Sequence, residues 1–273
     1  MALEIALLQL RAPATAAAGL AHVEPLVRQA AAEGARLIVT PEGTNLLQRN
    51  RTALFETLRS MEEDVCVVGL RQLAADLRVW VLIGSAMVLR PDGKCANRSI
   101  LIDPEGAVAA TYDKVHLFDV DLAGGERYRE SASFEPGAQA VVAQVDGAKL
   151  GLSVCYDIRF AALYRTLAHA GAEILTIPAA FTRPTGAAHW ETLLRARAIE
   201  TGAFVLAAAQ GGVHEDGRAT WGHSMAVAPW GEVIAQAYHD DPCVLRASLD
   251  LTEVAKARGS IPALQHDRAF AAP

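Results

Sequence analysis

Cys155 closes the apolar run Leu150-Gly151-Leu152-Ser153-Val154 and is followed by Tyr156-Asp157 and a helical stretch. A thiol at such a junction lies at a sheet edge and faces the positive end of a helix. An ordinary thiol is only about 3% ionised at pH 7, so a nucleophile here needs a proton acceptor. Glu42 is one. Its strand, Leu37-Ile38-Val39-Thr40, runs into Pro41-Glu42-Gly43, and α/β sites collect at the carboxyl ends of strands. A half-buried carboxylate there can act as a general base. Lys114 supplies a fixed positive charge within Thr111-Tyr112-Asp113-Lys114-Val115-His116. An ammonium about 4 Å from a developing oxyanion is worth about 4 kcal/mol at an effective dielectric near 20, a thousandfold in rate. Each residue also has an ordinary explanation: an inert core cysteine, a solvated loop carboxylate, an edge-strand charge. Together they describe acyl transfer. The segment 119–137 adds Glu126, Glu130 and Glu135, any of which could orient the base or the lysine. A Cys–His pair using His116, His189 or His223 is the competing arrangement.

The elements that must hold these groups interleave. Strands are expected at 2–10, 35–39, 79–89, 97–102, 107–115, 139–145, 149–155, 173–179, 203–210, 223–228, 233–238 and 244–248. Helical periods cover 15–34, 52–76, 160–170 and 187–201, with a short helix near the C-terminus. Pro25 implies a kink or late start in the first of these. Segment 118–137 has no clear period and is too long for an ordinary connection. No linker, repeat or low-complexity stretch divides the chain, so residues 1–273 read as one α/β domain with strands buried on both faces.

The 273 residues are 52% hydrophobic and 21% charged, which excludes disorder. The formal net charge of −6, with no Lys/Arg cluster, argues against a nucleic-acid partner. No apolar run approaches the ~20 residues that span a bilayer, and no basic amphipathic helix offers a membrane surface. The four cysteines lack zinc spacing. A reducing cytoplasm is the expected compartment.

Longer strings narrow the reading. Pro41-Glu42, Tyr112-Asp113-Lys114-Val115-His116-Leu117 and Val154-Cys155-Tyr156-Asp157-Ile158-Arg159-Phe160 resemble, in order, the Glu, Lys and Cys motifs of the nitrilase superfamily of carbon–nitrogen hydrolases. The resemblance runs on through Ala188-His189-Trp190-Glu191, Arg195-Ala196-Arg197-Ala198-Ile199-Glu200, Trp221-Gly222-His223-Ser224-Met225 and Pro229-Trp230-Gly231. It is similar to the Nit branch, and within it more to deaminated-glutathione amidases than to omega-amidases. The resemblance implies an αββα sandwich of two mixed sheets flanked by helices, paired into a homodimer, with no metal or organic cofactor. It implies Cys155 as nucleophile, Glu42 as base, Lys114 as stabiliser of the tetrahedral intermediate, and Glu130 as the second glutamate. The expected partner is a small carboxylate-bearing amide. Tyr156, Arg159, Phe181, Thr182 and Arg183 are candidate substrate-binding residues, Arg159 and Arg183 for the carboxylate. An omega-amidase, a nitrilase or an N-carbamoyl amino acid hydrolase is the alternative within the same superfamily. Gly43 leaves extra room beside Glu42 on this reading.

Overall fold

The computed structural model describes residues 2–122 and 125–271. Ala123 and Gly124, within the aperiodic segment, and the two ends of the proposed 1–273 domain lie outside the described residues. In chain order the first part holds β1 (Ala2–Gln9), α1 (Ala16–Ala32), β2 (Leu37–Val39), α2 (Arg51–Thr57), α3 (Val65–Leu77), β3 (Trp80–Leu89), β4 (Cys95–Ile102) and β5 (Val108–Asp113). Next come β6 (Asp119–Asp121), β7 (Arg127–Arg129), β8 (Val141–Val145), β9 (Ala148–Leu152), α4 (Ala161–His169), β10 (Ile174–Thr176) and α5 (Arg183–Thr201). The chain continues through β11 (Phe204–Ala207), β12 (Gly211–Val213), β13 (Ala219–Trp221), β14 (Met225–Val227), β15 (Val233–Gln236), β16 (Cys243–Asp250) and α6 (Thr252–Ser260).

Two six-stranded mixed sheets result, ordered β16-β1-β2-β3-β4-β5 and β15-β14-β11-β10-β9-β8. The period-two alternation of β1 shows how the layers form. Leu3, Ile5 and Leu7 point to one face and share a core with Leu150, Leu152, Ile174 and Phe204 of the second sheet. Ala6 and Leu8 point to the other and pack on Val23 and Val27 of α1 and Val67 and Leu70 of α3. Leu163 and Leu167 of α4 and Trp190 and Leu194 of α5 join the core shared with the second sheet. The fold is the expected αββα sandwich. β1, β2 and β3 are mutually parallel, as are β9, β10 and β11. Gly84 in β3 has no room for a side chain between the sheets: a Cβ there would lie 2.5 Å from the Pro178 ring and 2.4 Å from the Thr40 carbonyl.

Local departures from the sequence reading have physical causes. The helix expected over 52–76 is two, because Asp64 caps α3, accepting from the Cys66 and Val67 amides at 3.0 Å, while Asn45 donates to it. α1 starts at once, capped by Thr15, and runs through Pro25. α5 starts four residues earlier than expected, with Pro184 in its first turn, where a missing N–H costs nothing. The aperiodic segment contains the β6–β7 hairpin and a 3₁₀ turn at Glu130–Ala132. A second small hairpin, β12–β13, carries no alternation in sequence. No helix among the described residues is long and apolar enough to cross a membrane.

Candidate active site

Glu42, Lys114 and Cys155 follow the carboxyl ends of β2, β5 and β9. Each is fixed by hydrogen bonds to its own backbone. The Glu42 carbonyl accepts from Gln210 Nε2 at 3.0 Å. The Lys114 amide donates to Asn97 at 2.9 Å, and its carbonyl accepts from the Gly137 amide at 2.9 Å. The Cys155 amide donates to the Pro178 carbonyl at 2.9 Å. Cys155 itself adopts φ +49°, a left-handed conformation that is unfavourable for a side-chain-bearing residue and turns its thiol out of the strand line. Asp157, fully buried, clamps this turn: it accepts from the Val154 amide (2.9 Å), the Tyr112 hydroxyl (2.7 Å) and the His116 amide (3.0 Å).

The side chains converge. Lys114 Nζ donates to Glu42 Oε1 at 2.9 Å and to Glu130 at 2.8 and 3.1 Å. Cys155 lines the same cavity as Glu42 and Lys114, close enough for the charges of both to act on its thiol. The Ala180 amide, beyond β10, donates to Glu42 Oε2 at 2.8 Å. Glu130 also accepts from the Phe118 amide at 2.7 Å. Asn97 ties the two carboxylates together, its Nδ2 lying 2.9 Å from both Glu42 Oε1 and Glu130 Oε1, while its Oδ1 accepts from Ser85. Glu126 instead accepts from Tyr128, and Glu135 pairs with Lys94, so of the three loop glutamates only Glu130 reaches the lysine.

Burial and charge set the protonation states. Burial works to raise the Glu42 carboxyl, but the Lys114 ammonium and hydrogen bonds from Cys155, Lys114 and Asn97 outweigh it and hold it below the ordinary range. Burial works to lower Lys114, but Glu130, Glu42 and Cys155 keep it charged well above its usual value. Burial first, then the Glu42 charge, push the Cys155 thiol well up, over the opposing pull of Lys114. The resting site therefore holds a neutral thiol beside an ionised base.

These groups floor a cavity of about 330 Å³ whose wall includes Tyr156, Arg159, Phe181 and Thr182. The Arg159 guanidinium lies over the Phe181 and Tyr156 rings, 5.5 and 5.9 Å from their centroids, and faces His189 Nδ1 at 3.3 Å. Arg183 is different: it turns outward to Asp240 at 2.5 Å and takes no part in the cavity wall. It follows the N-cap of α5, so the helix directs it away. Gly43 does not make room either. Its φ of +67° turns the chain, and a Cβ would lie 2.5 Å from Leu47. The Cys–His alternative finds no support, since none of its three histidines lines the cavity. His116 stacks on Phe160 at 3.6 Å and pairs with Asp157, and His223 stacks on Trp221 at 4.2 Å. Asn97, Ser85 and the Ala180 amide escaped the sequence reading; an asparagine inside the strand pattern of β4 was the available signal. No cluster with metal-ligand character occurs among the described residues.

Two facing mixed sheets with a carboxylate, an ammonium and a thiol at their strand ends define a class of hydrolase. The carbon-nitrogen hydrolase family model matches residues 4–259, and the chain belongs to that family. It is a hydrolase of carbon–nitrogen bonds other than peptide bonds, an amidase. It is 40% identical over 267 residues to the deaminated glutathione amidase of Yersinia enterocolitica, covering 97% of this chain and 92% of that one. It is 43% identical over 251 residues to the deaminated glutathione amidase of Homo sapiens, covering 89% and 75%. Among solved structures, the C. elegans NitFhit protein superposes with a TM-score of 0.90 at 33% identity over 98% of this chain, which spans 65% of that protein. A single-site mutant of the amidase from Nesterenkonia sp. AN1 superposes at 0.81 and 26% identity over 97% of this chain and 94% of that one, and carries the acetamide moiety of fluoroacetamide on its active-site cysteine.

Proposed function

We propose that residues 1–273 act as a single amidase domain that cleaves a small carboxylate-bearing amide through a thioester on Cys155. Glu42 takes the thiol proton as sulfur bonds to the amide carbon. The oxyanion is held by Lys114 and the Tyr156 backbone N–H. Glu42 passes the proton to nitrogen, the carbon–nitrogen bond breaks, and the amine leaves. Water then attacks the thioester, Glu42 takes its proton, and collapse returns a proton to sulfur. Glu130 positions Lys114. Arg159, with Phe181 and Thr182, receives the carboxylate of the acyl half; among the described residues Arg159 has no carboxylate within ion-pair distance, although it lines the cavity. The deaminated glutathione amidases among its relatives support this substrate class. The exposed side chains of Ile199, Trp230 and Ile261 support a homodimer.

The observation that carries the reading is Lys114 Nζ bridging Glu42 and Glu130 at 2.8–3.1 Å in the one cavity that Cys155 also lines. Intact-mass spectrometry during turnover of a dicarboxylic monoamide should show an acyl adduct on Cys155, and Cys155→Ala should give a folded protein with neither adduct nor turnover. Ordinary turnover by that variant refutes the thioester route.

A further inference from the structure

Gln210 is fully buried just beyond β11, after Ala208 and Ala209, and does not line the cavity. Its side chain is nevertheless committed on both sides. Nε2 donates to the Glu42 carbonyl at 3.0 Å and to the Gly43 carbonyl at 3.4 Å, and Oε1 accepts from the Ala12 amide at 2.9 Å. The other ties of the turn that carries Glu42 run to Ser85 of β3, in the first sheet. The Pro41 carbonyl accepts from the Ser85 amide at 2.9 Å, the Gly43 amide donates to Ser85 Oγ at 3.3 Å, and the Thr44 amide donates to the Ser85 carbonyl at 2.8 Å. Among the described residues, Gln210 alone hydrogen-bonds the backbone of 41–44 from the side of the second sheet. The Gln210 amide donates to the Ala179 carbonyl at 2.8 Å, and the next amide, that of Ala180, donates to Glu42 Oε2 at 2.8 Å. These bonds close a ring: one residue grips the backbone of Glu42 and also the strand end whose amide grips the Glu42 carboxylate.

A glutamine in an apolar stretch gives up hydration and rotamer freedom that a Leu or Met would not. An apolar side chain of the same volume would leave the Glu42 and Gly43 carbonyls and the Ala12 amide without partners. A Glu42 backbone that moves to find another donor takes its carboxylate off the Ala180 amide. We propose that Gln210 is a positioning residue for the general base, holding the Glu42 carboxylate against the Ala180 amide and so in line with Cys155. It touches neither the substrate nor the sulfur and acts through Glu42 alone. This rests on the proposed role of Glu42 as the base.

The test compares Gln210→Met and Gln210→Glu with the unmodified protein on a dicarboxylic monoamide. Gln210→Met keeps the volume and loses the donors; its kcat should fall about ten- to a hundredfold with KM unchanged, because the base is displaced while the cavity wall is not. Glu42 is faced by Lys114, Asn97, Cys155 and the Ala180 amide, with Glu130 beyond the lysine. Loss of the Ala180 donor should therefore move the acid-side midpoint of kcat up by about one pH unit. Gln210→Glu keeps the shape and, while neutral, one donor and one acceptor. The titratable or charged groups around it are Glu42, His214 on the Ala12 carbonyl, and Arg11 on the Gly211 carbonyl. Burial keeps the new carboxyl neutral at pH 5.5, so kcat there should lie within about threefold of the unmodified protein, and should fall behind it by pH 8.5 with KM unmoved. Circular dichroism checks the fold throughout, and if Gln210→Met does not fold, the divergence of the Gln210→Glu profile decides. Alkylation of Cys155 by iodoacetamide needs no substrate and should be slowed about tenfold in Gln210→Met. A folded Gln210→Met with unchanged kcat, acid midpoint and alkylation rate overturns the proposal. So does a loss that appears in KM rather than kcat, or a Gln210→Glu profile parallel to that of the unmodified protein. An unmodified protein inactive on the monoamide overturns the amidase reading, and the alkylation rates then still decide whether Gln210 positions Glu42 on the thiol.

Discussion

Replacing Lys114 with Met removes the one cation between two carboxylates while keeping the side-chain volume. The lysine side chain is 2% exposed, that of Glu42 7% and that of Glu130 13%, so water compensates little. At 2.9 Å and an effective dielectric near 20, one contact is worth about 6 kcal/mol in gross attraction, most of it offset by burying the charges. Breaking such a pair from one side leaves the penalty without the attraction, so the variant should lose about 3–5 kcal/mol near pH 8. The pH dependence follows from the base. In the unmodified protein the folded pKa of Glu42 is depressed, so its contribution is present above the ordinary 4.5 and disappears as the pH falls through the folded value. Without Lys114, burial and the Glu130 charge are opposed by uncharged donors such as Asn97 and the Ala180 amide, and raise the folded pKa above 4.5. The folded variant then binds the extra proton, and regains about 1.4 kcal/mol per pH unit as the pH falls from that raised value toward 4.5. Urea unfolding of both proteins at pH 8, 6.5 and 5 reads this directly. Turnover at pH 7 should fall about a thousandfold for loss of oxyanion stabilisation. A destabilisation below 1 kcal/mol, or one that is the same at all three pH values, refutes the account of the buried charge cluster.

The thiol makes a second prediction. Because burial and Glu42 hold Cys155 neutral well above its usual range, the rate of its alkylation by iodoacetamide should not rise through a midpoint near pH 9 as a free cysteine's would; mass spectrometry of the Cys155 peptide across pH 6–10 reports this. Activity should instead decline on the acid side, with a midpoint below 4.5 as Glu42 protonates, wherever circular dichroism shows the fold intact. Asn97→Leu leaves Ser85 and both carboxylates short of a partner, so it should cost about 2–3 kcal/mol by urea unfolding and lower kcat more than it raises KM.

The ordered strings around Glu42, Lys114 and Cys155, and the apolar runs before two of them, are local properties of the chain. They specified the family, and with it the proposed chemistry, because a nucleophile, a base and a stabiliser each need a particular side chain and a strand end to hold it. The apolar run of β1 likewise told of strands buried on both faces. What only tertiary structure decided is distance. Glu42 and Lys114 are 72 positions apart, and register and sheet stacking alone bring them to 2.9 Å. The same holds for Glu130 over Glu126 and Glu135, since an aperiodic segment carries no signal of which carboxylate turns inward. Asn97 reads as an ordinary strand residue until β3 and β5 flank it and bury it between two glutamates. Arg159 and Arg183 look alike as strings, yet one lies over the cavity's aromatic rings and the other is carried outward by the start of α5 to Asp240. A side chain's direction is set by the backbone around it, and the partners that fix that backbone come from distant parts of the chain.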